Sequence, residues 1–302
     1  MRLGRLDLNL LVALDALLRE RKVAEAARQL NLSQSAMSSA LGRLRDYFDD
    51  ELFVLVGRQL TPTDLAKSLA APVRELLMQA QTRIVARRGF DPATSDRIFT
   101  LVASSYLTIT YLPRLVQRLT QVAPQVRLRL LTLNTEVERE LDRGDIDLII
   151  LPDAFADPRH PKHPLLEDAF VCVAWRANPE IGETLSLETY RRLGHVVCEI
   201  GSQRIATLEQ LAREEGRFGG ADQIVAGDYT LLPHLVIGTT RIATVQRKLA
   251  ELYATHLDLR ILAPPVPLPR LKEVMQWHRY QDEDTGHRWL REQLCSEAAE
   301  TP

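Results

Sequence analysis

Val23-Ala24-Glu25-Ala26-Ala27-Arg28-Gln29-Leu30-Asn31-Leu32-Ser33-Gln34-Ser35-Ala36-Met37-Ser38-Ser39-Ala40-Leu41-Gly42-Arg43-Leu44 decides how the amino-terminal part of the chain folds. Val23, Ala26, Ala27 and Leu30 recur at i, i+3, i+4 and i+7, which makes one apolar face of a short helix. Asn31-Leu32 breaks that pattern. Ser33 follows as an N-cap, its hydroxyl placed to accept a hydrogen bond from the next helix's first turn. Met37, Ala40, Leu41, Leu44 and Phe48 form the second apolar stripe. The small Ala26 and Ala27 admit a close helix approach, and a turn of about 3–4 residues sets the helices at a steep angle, so the unit reads as a helix-turn-helix.

The outward face of the second helix is Gln34, Ser35, Ser38, Ser39, Gly42 and Arg43. Such a face suits entry into a DNA major groove amino end first, with Gln34 able to pair with an adenine edge and the serines able to donate to bases or phosphates. Any amphipathic helix has a polar outside. This one is set apart by its serine cap, its tight turn, and groups that read bases in place of Lys and Glu.

Residues 7 to 63 resemble the winged helix-turn-helix of LysR-type transcriptional regulators. The residues that carry the likeness are Leu8-Asn9-Leu10-Leu11, Ala26-Ala27, Leu32-Ser33-Gln34-Ser35-Ala36-Met37-Ser38, Leu41, Leu44-Arg45, Leu52-Phe53 and Leu60-Thr61-Pro62-Thr63. The resemblance implies that Gln34, Ser35, Ser38 and Ser39 face base edges, with Ser33 and Arg43 beside them at the DNA. Ser35 stands where the family usually has a proline, which would pre-set the first helical turn.

Composition bounds the rest. The chain has 302 residues, room for two or three compact units, and its 45 % hydrophobic and 26 % charged content is that of an ordinary globular protein. The net charge of −2 gives no basic footprint, and residues 1 to 60 hold nine Lys/Arg against eight Asp/Glu, so DNA binding rests on the motif. Asp7 and Asn9 interrupt the amino terminus before any apolar core, and no run approaches 18 apolar residues, so neither a signal peptide nor a membrane span is expected and the location expected is the cytoplasm. Cys172, Cys198 and Cys295 lack metal-type spacing and read as reduced thiols.

In chain order, Leu8 to Glu20 reads as a first helix, with Leu10, Leu11, Leu14, Leu17 and Leu18 on one face. Glu51 to Leu60 reads as a small β-wing, and Arg58 at its tip is either a phosphate contact or a solvated turn residue. From Thr63 a long helix carries Leu65, Leu69, Val73, Leu76 and Ala80 at heptad-like spacing, which suggests a partner helix, although the seam could pack on the chain's own domain. Pro72 inside it should kink the helix or open a second segment. In the resembling family this helix pairs two protomers, which implies a homodimer or tetramer on an interrupted palindromic operator. The expected domains are 1–62 (winged helix-turn-helix), 63–88 (linker helix), 89–96 (hinge) and 97–302.

After the hinge, strands and helices alternate. Ile98 to Ala103, a helix over Leu112 to Val122, Val126 to Leu131, a helix over Glu136 to Arg143 and Asp147 to Leu151 make βαβαβ, hence a parallel sheet. Pro152 to Pro164 reads as a proline-broken crossing. A second set follows: strands Phe170 to Trp175, His195 to Glu199, Gln223 to Ala226, Arg241 to Val245 and Leu257 to Leu262, with helices between them near Ser186 to Leu193, Ile205 to Glu215 and Leu231 to Ile237. Pro264 to Pro269 crosses back to strand Glu273 to Trp277 and helix Thr285 to Leu294. Two crossings between two α/β lobes give a bilobed, periplasmic-binding-protein-like (type II) domain, with lobe I at 97–165 and 267–298 and lobe II at 166–266. The fold class is α/β overall.

This half is similar to the nodulation-regulator branch of the LysR family and its relatives that respond to aromatic acids. The likeness lies in His160-Pro161-Lys162-His163-Pro164-Leu165, Gly238 to Thr244, Val266 to Pro269 and Met275 to His278. It implies a small, aromatic effector in the interlobe cleft and no other cofactor. Strand ends facing helix starts are where open sheets bind ligands, which selects Ser104, Ser105, Asn134, Gly201, Ser202, Asp228, Tyr229 and Thr244. Each alone also fits an ordinary cap or loop residue. Asp228 would repel a carboxylate, which leaves a neutral or phenolic ligand open.

Other constellations are set aside. His160 and His163 lie among prolines and read as a surface crossing, not a metal site. Cys172 and Cys198 read as core thiols, with a thiol-based oxidant sensor as the alternative. No Gly-x-Ser-x-Gly elbow supports a serine hydrolase at Ser104 or Ser105 with His278, and no phosphate loop is present. An enzyme is therefore not expected. The reading is an effector-switched DNA-binding regulator, with a constitutive DNA-bridging protein as a further alternative.

Overall fold

The computed structural model describes residues 6–57, 59–84, 89–199 and 221–299. Two compact units divide the chain at Arg88 and Gly89.

In the first unit, helices α1 (Leu8–Glu20), α2 (Val23–Gln29) and α3 (Gln34–Phe48) are followed by strands β1 (Phe53–Val56) and β2 (Gln59–Pro62) and helix α4 (Asp64–Arg83). Leu14, Leu17, Ala26, Met37 and Leu44 are completely buried together, and Ala27 is nearly so. Full burial of a Leu or Met side chain contributes about 1.5–3 kcal/mol. The turn between α2 and α3 closes with two backbone bonds, Leu32 N to Ala27 O at 2.8 Å and Asn31 N to Arg28 O at 3.2 Å. Asn31 takes φ +55° there. That left-handed conformation is one Asn tolerates better than most residues, and the pair of bonds is a Schellman stop.

Helix α4 runs unbroken through Pro72. Its expected partner seam is divided: Leu65, Leu69 and Val73 pack into the helix-turn-helix core, and Leu76 stays 44 % exposed. A buried ion cluster explains the docking. Arg74 Nη2 of α4 lies 3.1 Å from Asp15 Oδ1 of α1, and Arg19 Nη2 lies 2.7 Å from Asp15 Oδ2.

In the second unit, β3 (Ile98–Ala103), α5 (Ser105–Thr110), α6 (Leu112–Val122), β4 (Arg127–Thr132), α7 (Val137–Asp142), β5 (Leu148–Pro152) and β6 (Lys162–Asp168) come first. Strand β7 (Phe170–Trp175), α8 (Leu187–Arg192), β8 (Gly194–Cys198), β9 (Ala221–Ala226), α9 (Leu232–Leu235), β10 (Ile242–Gln246), α10 (Arg247–Ala254), β11 (Leu259–Leu262), β12 (Leu271–Gln276) and α11 (Thr285–Ala299) complete it. Among the described residues the strands form two five-stranded sheets, β4-β3-β5-β12-β6 and β11-β7-β10-β8-β9. Strand β3 is parallel to β4 and β5, and β8 is parallel to β9 and β10, whereas β12 and β7 run antiparallel to their neighbours.

The segment expected as a proline-broken crossing is in part a strand. Strand β6 carries Pro164 paired with Val274, and it is an edge strand, where a missing N–H costs no ladder bond if it faces solvent. The first lobe therefore runs to Asp168, past the expected 165, and the chain crosses at Ala169. The expected helix over 205–215 and residues 85–88 of the expected linker helix lie outside the described residues. Among the described residues no helix is long and apolar enough to cross a membrane.

Candidate functional site

Helix α3 presents the first site. Ser33 is its N-cap, with φ −70° and ψ 152°, and its Oγ accepts from Ala36 N at 3.1 Å. The same Oγ lies 2.9 Å from Ser35 Oγ, so the serine in the family's proline position braces the cap. Gln34, Ser35, Ser38, Ser39 and Arg43 are exposed, while Gly42 is half-buried. The side chains of Gln34, Ser38 and Ser39 make no hydrogen bond to another described residue. Arg43 Nη2 donates to Asp7 Oδ2 at 3.0 Å. The Asn9 amide, then that guanidinium, hold the Asp7 carboxyl below its ordinary range. The far end of α3 is tied to the wing by Arg45, whose Nε donates to Glu51 O at 2.8 Å and whose Nη2 donates to Phe53 O at 3.0 Å. Sequence reasoning missed that role, although Arg45 sits on the helix end that the wing follows. Arg58 lies outside the described residues.

The second site is an open cleft of about 170 Å³ lined by Ser104, Ser105, Tyr106, Thr132, Leu133, Gly227, Asp228 and Tyr229. Cavities of roughly 150 Å³ admit benzene, so a substituted aromatic ring is of the right scale. Its walls come from the carboxyl ends of parallel strands β3, β4 and β9, as open sheets place them. Ser104 caps α5 by accepting from Leu107 N at 3.4 Å. Ser105 Oγ donates across the cleft to Asp228 Oδ2. Asp228 Oδ1 accepts from Thr230 N at 2.8 Å and Thr230 Oγ1 at 2.7 Å. Both serine oxygens are thus engaged, Ser104 with its own helix and Ser105 with the opposite lobe.

Four of the expected cleft residues, Ser104, Ser105, Asp228 and Tyr229, thus meet at one place. Asn134 does not line it. Its Oδ1 accepts from Glu136 N at 2.7 Å, shaping the entry to α7, and Thr132 and Leu133 take the position at the cleft. Thr244 does not line it either, because it lies inside β10 instead of at its end. It is 1 % exposed, with its Oγ1 3.5 Å from Tyr190 Oη. Gly201 and Ser202 lie outside the described residues. Tyr106 and Gly227 were missed, although each adjoins a residue that was chosen.

His160 is buried, not on the surface: its Nε2 lies 2.8 Å from Asp142 Oδ1 and its ring packs on His278 at 5.0 Å. Among the described residues no group of three or more side chains could hold a metal ion. Cys172 on β7 pairs with Thr244 on β10, and β8, with Cys198, is the next strand over. Two strand spacings put their Cα atoms about 10 Å apart, beyond the roughly 7 Å that a disulfide spans. They also sit in separate core clusters, so this arrangement cannot bridge them.

Residues 93–299 match the model of the LysR substrate binding domain, and residues 8–67 match that of the bacterial regulatory helix-turn-helix protein, lysR family. Over 299 residues, 99 % of this chain, the sequence is 42 % identical to nodulation protein D 1 of Bradyrhizobium diazoefficiens, covering 95 % of that protein. It is likewise 42 % identical over 99 % of its length to nodulation protein D 1 of Rhizobium meliloti, covering 97 % of it. Among solved structures, a probable transcriptional regulator from Pseudomonas aeruginosa is 32 % identical with a TM-score of 0.69, covering 97 % of this chain and 98 % of that one. CbnR complexed with its target DNA shares the fold, at 14 % identity and a TM-score of 0.53, over 97 % of this chain and all of that one.

Proposed function

Since the chain belongs to the LysR family of bacterial transcriptional regulators, we propose that a small, uncharged, hydroxylated aromatic molecule held between Ser105 and Asp228 switches how helix α3 engages DNA. The chain is a DNA-binding regulator and not an enzyme. Gln34, Ser35, Ser38 and Ser39 read base edges, while Arg43 and Arg58 meet phosphates. A homodimer, or a pair of dimers, sets two α3 helices on the halves of an interrupted palindrome, in the cytoplasm. The fold shared with CbnR, whose structure holds its target DNA, supports that role.

The observation that carries the effector reading is the hydrogen bond from Ser105 of the first lobe to Asp228 of the second. A ligand that enters there and breaks this bond has to offer both half-buried groups a replacement, or leave them to water. A hydroxyl both donates to the carboxylate and accepts from the serine. A carboxylate ligand would meet the charge of Asp228, and no described cleft-lining residue is a cation to offset it. Binding shifts the lobe arrangement only by the ligand's difference in affinity between open and closed forms.

The test is thermal unfolding of the full chain with hydroxyflavones and neutral phenols on one side and benzoate and salicylate on the other. The expected result is a saturable rise with the neutral hydroxylated compounds, growing with the logarithm of concentration and lost in Asp228→Ala. A panel without any rise, or stabilisation by benzoate that survives Asp228→Ala, would sink the reading.

A further inference from the structure

Asp168 is the last residue of β6, and Ala169 carries the chain over to β7 in the other sheet. Its carboxylate gathers three elements. Oδ2 accepts from the Tyr106 hydroxyl of α5 at 2.6 Å and from the Lys248 amide in the first turn of α10 at 3.2 Å, and Oδ1 accepts from Ala169 N at 2.7 Å. Helix α5 belongs to the first lobe and carries Ser105 and Tyr106 into the cleft, while α10 belongs to the second. One buried carboxylate therefore joins the two lobes behind the effector cleft.

A second carboxyl lies beside it. Glu273 of β12 stands two residues from Leu271, the cross-strand partner of Asp168, which puts both acids on one face of the sheet. Glu273 is 4 % exposed, and its Oε2 has no hydrogen-bond partner among the described residues. The titratable groups that face it are Asp168 from β6 and Tyr106 from α5, and its cross-strand neighbours Pro152 of β5 and Leu166 of β6 are uncharged. The α10 helix also brings Arg247 and Lys248 to this end of the junction, yet the charge that acts on the Glu273 carboxyl is that of Asp168.

We propose that Tyr106, Asp168 and Glu273 form a proton-operated pin at the junction of the two lobes, so that solution pH sets how firmly α5 and α10 are held together. With Glu273 protonated, Asp168 alone carries charge and its three hydrogen bonds hold the junction. When the Glu273 proton leaves, a second charge faces Asp168 in a water-poor site, and separating the lobes relieves it. Burial, then the charge of Asp168, push the Glu273 carboxyl up to about 8 from its ordinary 4.5. The folded protein thus holds one proton more than the unfolded chain between those values. That stabilisation is fully present below 4.5 and declines as pH rises to about 8, by at most tenfold in the unfolding constant per pH unit. The pin rests on the cleft reading only where it makes Tyr106 the link to a bound effector, and its test needs no effector.

The experiment is amide hydrogen exchange on the full chain across the pH range around that midpoint, corrected for base-catalysed chemistry, reading peptides that contain Ala169 and Lys248. In the native sequence their protection is expected to fall by up to tenfold per pH unit on the acid side of the midpoint and to level off above it, while peptides of α1 to α3 keep theirs. In Glu273→Gln the profile is expected to be flat. A second variant, Asp168→Asn, removes the neighbouring charge and should move the midpoint to lower pH. A flat profile in the native sequence, an unchanged fall in Glu273→Gln, or an unmoved midpoint in Asp168→Asn overturns the proposal. Any of these leaves the effector panel above to stand or fall by itself.

Discussion

The outward face of α3 and the interlobe cleft are built in opposite ways. On α3 the organising bonds are local: Ser33 caps Ala36 three residues on, and Gln34, Ser38 and Ser39 are left pointing at solvent. In the cleft the organising bond joins Ser105 to Asp228 across 123 residues of chain, and both groups are already satisfied. A surface that meets DNA gains from groups kept open, because the partner supplies every missing hydrogen bond. A switch gains from groups that have one partner now and can take another, because only a difference between two arrangements moves an equilibrium.

The largest effect that would sharpen this contrast comes from beneath the open face. Asp15→Ala leaves Arg74 buried without its 3.1 Å carboxylate partner. Removing one member of a buried pair costs about 3–5 kcal/mol. Denaturant unfolding of the full chain should show the amino-terminal unit melting early, with DNA binding lost and the cleft's ligand response retained. A cost below about 1 kcal/mol would mean that the cluster is solvated and that α4 does not brace the DNA-reading helices through it.

Next in size is a matched pair, one from each region. Ser105→Ala removes a donor to a carboxylate, worth about 1.5–3 kcal/mol when the acceptor is charged. Its stability should fall with no ligand present. Gln34→Ala should leave unfolding within about 0.5 kcal/mol of the native sequence. It should nevertheless reduce the ratio of operator to random-DNA affinity by about 1–3 kcal/mol, the worth of one bidentate base contact. If Gln34→Ala destabilises the fold, or Ser105→Ala does not, the distinction between an open face and a closed circuit fails.

The same contrast explains what could be read from the chain alone. The bounds of α1 and the stop, turn and cap leading into α3 follow from residues that touch within one helical turn, and they stand where periodicity put them. Strand β6 escaped because Pro161 and Pro164 argue against a strand, and only its edge position makes Pro164 tolerable. Strand-end reasoning gathered Ser104, Ser105, Asp228 and Tyr229 because the βα connections repeat. It misplaced Thr244, which sits inside β10, and Asn134, whose side chain turns back to its own helix. Nothing local to Asp15 or Arg74, 59 positions apart in the numbering, marks them as partners. Such pairs become visible only when two helices have docked.

The smallest effect tests whether Ser33 belongs to the open face or to its frame. Its Oγ is occupied by the Ala36 amide, so its first role is to hold the start of α3. Ser33→Ala should cost about 1 kcal/mol of stability, the usual worth of a serine cap. Ser33→Asp keeps an acceptor at the cap and places a negative charge at a helix amino end, which the helix dipole favours. Its stability should therefore match the native sequence in thermal unfolding. At the DNA the same charge would approach phosphates, so affinity should fall for every sequence, with operator and random DNA weakened alike. Loss of stability in Ser33→Asp would show that the serine does more than cap. Weakening confined to the operator would place Ser33 among the base readers with Gln34.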